Sequence, residues 1–180
     1  MNTVNAPHCA AQFRGEIASL SHDATGRDPL EGPGDTLRVR VRLAPKPPGT
    51  REPIVVTGGT GCADILMVEY VDGESLRFGL DHWGAPTRMS KPVPFDYSVP
   101  HELEISMSSL ETVKDASTLA AARTGRLRLK VDGTEVWQET GEFFFAEADE
   151  VAIGRNAVGG TTCASWFSGD ILSAERVVRE

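Results

Sequence analysis

Cysteine is scarce in this sequence. Only three of the 180 residues are cysteine (Cys9, Cys62 and Cys163), and no two of them have the spacing of a metal-binding pair. The four histidines likewise lack the spacing of zinc ligands. Such a set is typical of free thiols in a reducing compartment, and a disulfide between Cys62 and Cys163 stays open as the alternative.

Long apolar runs and an excess of positive charge are missing as well. No stretch approaches the ~20 consecutive apolar residues of a membrane-spanning helix. The net charge is −8, the opposite of what proteins that dock on phosphate backbones carry. The N-terminal stretch MNTVNAPHCAAQFRGE has neither the basic start nor the apolar core of a signal peptide. We therefore expect no nucleic-acid partner and no membrane insertion. The expected location is cytoplasmic as written, or extracytoplasmic if the chain belongs to a longer exported protein.

Sequence motifs of the common catalytic classes are also absent. The chain has no Gly-x-Ser-x-Gly elbow, no cysteine–histidine signature and no phosphate-binding loop. We therefore assign no catalytic residue and no cofactor from motifs.

Alternation of apolar and polar residues dominates what is present. The segments LRVRVRL (37–43), HELEISM (101–107) and RLRLKV (126–131) each place apolar side chains on one face and charged side chains on the other. A period of two with one polar face predicts half-buried strands of antiparallel sheets. Arginines on one strand and glutamates on another would pair across neighbouring strands on a solvated face. A functional basic patch made of Arg38, Arg40 and Arg42 is the alternative.

Turn signals punctuate these strands. Asp72-Gly73 and Asp132-Gly133 each separate two alternating runs, and Asp-Gly tolerates the positive φ angles of a tight hairpin. The stretch from Ser108 to Arg123 has a possible capping box, Ser108 with Glu111, and predicts one short helix or an irregular loop. The length predicts one domain over residues 1–180, with residues 1–10 expected to be disordered.

Two segments near the ends of the chain resemble each other. FRGEIAS (13–19) and FSGDILS (167–173) share the pattern Phe-x-Gly-acid-Ile-x-Ser. We interpret them as neighbouring strands of one sheet, with Phe13 and Phe167 both buried and the termini close together.

The C-terminal half resembles a known superfamily. LRLKVDGTEVW, VAIGRNAVGG and WFSGDI, between Leu127 and Ile171, are similar to segments of laminin-G-like domains in the concanavalin A-like lectin and glucanase superfamily. The resemblance implies an all-β fold, a two-sheet antiparallel jelly-roll sandwich. It also implies carbohydrate binding, adhesion or glycan hydrolysis, among which the fold does not choose.

The resemblance suggests two kinds of site. Glucanases of this superfamily often carry the pattern Glu-x-Asp-x-Glu, which neither HELEIS nor AEADEV matches. A diverged glycan hydrolase or lyase is therefore only an alternative. Laminin-G-like domains often hold one Ca²⁺ at the sheet rim, for which Asp64 and Asp81, with Asn156, are the candidate ligands.

The stretch LRFGLDHWGAP (76–86) carries the main candidate ligand site. Alternation places Leu76, Phe78 and Leu80 inward, and Arg77, Gly79 and Asp81 outward, with Gly79 leaving the outer face locally bare. His82 and Trp83 fall where the chain leaves the sheet, so acid, imidazole and indole would meet on a rim. The later stretch GRNAVGG adds Arg155 and Asn156 as possible donors. The predicted ligand-binding set is therefore Asp81, His82, Trp83, Arg155 and Asn156. A structural corner with Trp83 buried and Asp81 bound to backbone N–H groups is the alternative.

These observations together favour a non-catalytic binding module. The expected partner is a glycan or a protein surface, contacted through rim loops. A structural or oligomerisation domain is the third possibility, and the sequence does not indicate an oligomeric state.

Overall fold

The described part of the chain is almost entirely β-structure. The computed structural model describes residues 34–111 and 122–177. These ranges form eleven strands in two antiparallel sheets, with single turns of 3-10 helix at Ser108–Leu110 and Ala148–Glu150. No helix in these ranges is long and apolar enough to cross a membrane. The predicted all-β sandwich of two antiparallel sheets is confirmed. The single domain over 1–180 stays a prediction, and its first ten residues lie outside the described ranges.

The first sheet has five strands in the order β11-β1-β7-β8-β9. Their bounds are β1 Thr36–Arg42, β7 His101–Met107, β8 Arg123–Val131, β9 Thr134–Phe143 and β11 Asp170–Val177.

The second sheet has six strands in the order β10-β2-β3-β4-β5, with β6 paired to β4. Their bounds are β2 Arg51–Gly59, β3 Cys62–Tyr70, β4 Ser75–His82, β5 Arg88–Met89, β6 Val93–Pro94 and β10 Val151–Ile153.

The main core lies between the inner faces of the two sheets. The alternating apolar residues of β1, β4, β7 and β8 supply most of it, each strand contributing every second side chain. Fully buried members are Leu37, Val39 and Val41 from β1, Leu103 and Ile105 from β7, and Leu76, Phe78 and Leu80 from β4. The inward positions predicted from the period of two are therefore confirmed for these strands.

The charged residues of β1 and β7 share the outer face of the five-stranded sheet. Arg38 contacts Glu102 of β7 at 3.3 Å and Glu175 of β11 at 3.0 Å. Glu104 is paired with Lys130 at 2.7 Å. The predicted cross-strand pairing is confirmed for Arg38, and for Arg40 and Arg42 it stays a prediction. The observed pairs give the two glutamates of HELEIS a structural role.

The two Asp-Gly hairpins differ. Asp132 and Gly133 form the two-residue turn that was predicted, with φ of 49° and 79°. At the other hairpin the connection is longer, since Tyr70 pairs with Leu76. There Asp72 Oδ1 accepts the N–H of Glu74 and the hydroxyl of Ser75, at 2.9 and 2.8 Å. An Asx-type side-chain turn replaces the predicted positive-φ turn.

The helix expected after Ser108 is a single 3-10 turn in the described residues, and residues 112–121 lie outside them. The predicted capping box is wrong for Ser108, because its hydroxyl accepts the N–H of Arg126 at 3.0 Å. A capping box does occur at Glu147 and Glu150.

Of the two matched terminal segments, only FSGDILS (167–173) lies in the described ranges. Phe13 lies outside the described residues. Phe167 is buried, as predicted, but it precedes the last strand, because β11 begins at Asp170. Its N–H donates to the carbonyl of Gly154 at 2.8 Å, which holds it in the core from a loop position.

The two cysteines in the described ranges, Cys62 and Cys163, are free thiols. Free thiols are therefore confirmed for this pair and the disulfide alternative is wrong, whereas the reducing compartment stays a prediction. Cys9 lies outside the described residues.

Candidate functional site

The outer face of the six-stranded sheet is built in cross-strand rows. The register places Arg51, Glu69 and Arg77 in one row, on β2, β3 and β4. The next row toward the end of β4 is Pro53, Met67, Gly79 and Met89, and the one after it contains Val56, Ile65 and Asp81. We call the part of this face along β4 and β5 the β4 strip, and it consists of Arg77, Gly79, Asp81, Trp83 and Met89.

Trp83 is at the end of the β4 strip. The residue is 42% exposed, and its backbone N–H donates to the carbonyl of Ala63 at 2.9 Å. This bond extends the ladder between β3 and β4 by one residue and fixes the backbone that carries the ring. Gly84 follows with φ of 86° and turns the chain away. The buried structural corner is therefore not what forms here.

Asp81 lies one row before Trp83 and is half-buried. Its Oδ1 accepts the hydroxyl of Thr87 at 3.4 Å, a long bond. A carboxylate held this loosely retains most of its capacity to accept hydrogen bonds. The predicted proximity of Asp81 and Trp83 on the outer face is what the structure shows.

Gly79 corrects one expectation. It does not leave the outer face bare, because the side chain of Met89 lies over it. A Cβ atom at Gly79 would meet Met89 Sδ at 2.8 Å and Met67 Cγ at 3.2 Å. The glycine makes room for the side chains of Met67 and Met89, which we call the methionine floor. Methionine is polarizable and flexible, so this apolar surface adapts its shape.

Arg51 and Arg77 were not singled out from the sequence, and both flank a buried carboxylate. Glu69 Oε2 accepts Arg51 Nε at 2.6 Å, and Glu69 Oε1 accepts Nε and Nη2 of Arg77 at 2.8 and 2.5 Å. Burial opposes the charge of Glu69, but these hydrogen bonds hold its pKa below the usual range. The signal that could have found this row is the hairpin register, which sets Glu69 opposite Arg77.

The loop 155–165 covers the rest of the outer face. Its Val158 and Cys163 pack on Ala63 and Ile65 in a second, smaller hydrophobic cluster. Burial, and then the charge of Asp81, raise the pKa of the Cys163 thiol to about 11. This loop therefore forms the wall beside the β4 strip.

The predicted contributors Arg155 and Asn156 are at the base of that loop. Arg155 pairs with Trp166, and Asn156 donates its backbone N–H to Ser165 at 3.0 Å. The Asn156 Nδ2 lies 3.8 Å from Cys163 Sγ, and its buried Oδ1 has no hydrogen-bond partner within the described ranges. These contacts place both residues in the wall, where they brace the loop.

His82 is the clearest correction to the predicted ligand set. Its ring is buried on the inner face, 5% exposed, and stacks on Phe144 with centroids 4.4 Å apart. Its Nδ1 lies 2.7 Å from Oδ1 of Asp64, whose Oδ2 accepts the N–H of Phe144 at 2.8 Å. Burial raises the pKa of Asp64 to about 6, although these hydrogen bonds oppose the shift. His82 therefore belongs to the core and Trp83 to the surface.

The candidate calcium ligands are separated by the same alternation. Asp64 is fully buried on the inner face of β3, whereas Asp81 is on the outer face of β4. Asp64 and Asp81 cannot close on one ion from opposite faces of a sheet, so the predicted pair is wrong. Across the described ranges there is no group of three or more histidine, cysteine or acidic side chains placed to hold a metal.

A cleft of about 310 Å³ is present on the other sheet. Its lining includes Ser108, Glu111, Arg126 and Gln138, on the outer face of the five-stranded sheet. Among its lining residues, Glu111 is the last one described before the gap at 112–121, and we assign the cleft no ligand.

Comparisons with known proteins leave the family open. No family model matches the chain, and no curated protein matches it. Solved structures similar in shape include the following two. The carbohydrate-binding module CBM40 of the Ruminococcus gnavus IT-sialidase, bound to α2,3-sialyllactose, is 15% identical, with 89% of this chain and 85% of that chain covered and a TM-score of 0.48. A second structure of the same module is 16% identical, with 81% of this chain and 77% of that chain covered and a TM-score of 0.46. At this identity and TM-score we draw no function from either structure, and the laminin-G-like resemblance stays a prediction.

Proposed function

We propose that this chain is a non-catalytic carbohydrate-binding module whose ligand lies along the β4 strip. The observation that carries the proposal is the exposed indole of Trp83, held on a fixed backbone on the same face as Asp81. An indole face stacks on the apolar face of a sugar ring, and a carboxylate accepts hydrogen bonds from sugar hydroxyls.

The surroundings of these two residues support a saccharide over a flat protein surface. The loop 155–165 stands on one side of the strip, and the methionine floor lies between Trp83 and Arg77. Apolar floor, polar ends and a raised wall are the parts of a shallow groove for an elongated ligand. Arg77 and Asp81 lie on β4 and Met89 on β5, so the backbone of the sheet holds these side chains in place.

A glycan array with the purified protein is the first test, run with and without EDTA. We expect binding to at least one saccharide class. The EDTA arm reports separately whether Ca²⁺, which stays a prediction, takes part.

Variants then locate the site by calorimetry with the best array ligand. Trp83→Ala should weaken binding by about tenfold or more, as removal of an aromatic anchor does, and Asp81→Ala should also weaken it. Trp166→Ala is the matched control, since Trp166 is 56% exposed but lies outside the strip. Unchanged affinity in the Trp83 variant with an intact fold, or an equal loss in the Trp166 variant, would overturn the placement of the site. An array without any bound saccharide would overturn the function.

A further inference from the structure

The row of Arg51, Glu69 and Arg77 holds two positive charges around one negative charge. The Glu69 side chain is only 7% exposed, whereas those of Arg51 and Arg77 are 35% and 36% exposed. The carboxylate is thus beneath the two guanidinium groups and positions both of them. Its single charge leaves the row with one net positive charge, in a chain whose net charge is −8.

Glu69 does not use all of the hydrogen-bond donors of the two arginines. A guanidinium carries five N–H donors in a fixed fork. Glu69 accepts hydrogen bonds from Nε of Arg51 and from Nε and Nη2 of Arg77. Both Nη atoms of Arg51 and the Nη1 of Arg77 are outside these contacts.

The row is continuous with the proposed groove. Arg77 is a member of the β4 strip, and the methionine floor over Gly79 is the next row along the same face. A ligand that extends from Trp83 along the strip reaches Arg77 and then Arg51. The end of the groove that lies opposite Trp83 is therefore its positively charged end.

We propose that Arg51 and Arg77 bind a negatively charged substituent, a carboxylate or a sulfate, on the saccharide that occupies the β4 strip. Arginine forks match the planar carboxylate and the sulfate oxygens, and hydrogen bonds between charged groups are about twice as strong as neutral ones. The inference depends on the proposed function and names the ligand class of that same site.

Matched saccharide pairs test the inference. Cellotetraose is compared with cellotetraose that carries a sulfate on one terminal unit, and with cellotetraose that ends in a glucuronic acid, by calorimetry on the full chain. A tetrasaccharide is used because Trp83 and Arg77 are six extended residues apart, about 20 Å. We expect the charged member of at least one pair to bind about tenfold more tightly, the gain of a charge-assisted hydrogen bond, with the preference reduced at high salt. The pair that shows it distinguishes sulfate from carboxylate.

Variants assign the preference to residues. Arg77→Gln and Arg51→Gln should each reduce the preference for the charged sugar several-fold, while affinity for the neutral sugar changes little. Arg77→Lys keeps the charge without the fork and should lie between the wild type and Arg77→Gln. Arg40→Gln, on the outer face of the other sheet, is the matched control and should leave the preference intact. Thermal melts establish that each variant is folded.

The outcomes separate the inference from the function beneath it. Equal affinity for charged and neutral sugars overturns the anionic ligand class and leaves saccharide binding standing. A preference that survives in both Arg51→Gln and Arg77→Gln also overturns it. Absence of saccharide binding by the folded wild type overturns both proposals.

Discussion

The carboxylate of Asp64 lies 2.7 Å from the imidazole of His82 at a point where neither side chain reaches solvent. The N–H of Phe144 supplies the second partner of the carboxylate. This buried pair predicts a specific dependence of stability on pH. Burial raises the folded-state pKa of Asp64 from 3.8 to about 6. The folded state therefore binds a proton that the unfolded state has lost over this window.

The contribution of Asp64 to the free energy of unfolding should be fully present below about pH 4 and should fall as the pH rises through about 6. Asp64→Asn removes the titrating group. The free energy of unfolding of this variant, measured by urea denaturation, should therefore fall less between about pH 4 and 6 than that of the wild type. The exposed variant Asp149→Asn is the control and should follow the wild-type curve. Parallel curves for the wild type and Asp64→Asn would contradict the assignment.

A glycine in β2 should be much less replaceable than a glycine in a turn. Gly58 has φ of 83°, and a Cβ atom there would overlap the carbonyl oxygen of Cys62. Gly58→Ala should cost more than about 2 kcal/mol, because backbone strain and overpacking add. At Gly73, where nothing lies within 4 Å of a Cβ atom, the alanine variant should stay within about 0.5 kcal/mol of the wild type. Chemical denaturation of both variants checks this, and similar costs would show that the constraint at Gly58 is not real.

The hairpin at Asp132 predicts an order of stabilities. Asp132 has a positive φ, accepts the N–H of Glu102 at 2.8 Å, and lies 2.6 Å from His101 Nδ1. Asp132→Ala loses both contacts and tolerates the left-handed backbone poorly, so it should cost about 2 kcal/mol. Asp132→Asn keeps an acceptor oxygen and suits that backbone, so it should cost less. Thermal melts give the order, and an asparagine variant as unstable as the alanine variant would count against this account.

Alternation predicted β1, β7 and β8, because burial of one face forces a period of two on the sequence. β2 and β3 are buried on both faces and carry no such period. Extending β4 by two residues beyond Leu80 would have predicted the position of His82. His82 lies on the same face as Phe78 and Leu80, and β4 continues through it. We ended the strand too early because Trp83 and Gly84 look like a boundary.

Other features depend on contacts that no local pattern encodes. The N–H of Phe144 donates to Asp64 from a distant part of the chain. The loop 155–165 has neither helical nor strand periodicity, so its sequence does not predict that it covers the outer face. The charged row needed the register of a hairpin whose turn differs from the predicted type. Fold class follows from composition and period, whereas a site follows from which strands become neighbours.

The bond from Phe144 to Asp64 also bears on how the chain folds. It joins residues 80 positions apart, one on the segment leaving β9 and the other on β3. Closing so long a loop costs chain entropy before stabilising contacts form, so pairings of this kind slow folding. Once made, the bond can be broken only by leaving a buried carboxylate short of a donor, which is costly. We therefore expect this small sandwich to assemble slowly and, for the same reason, to come apart slowly.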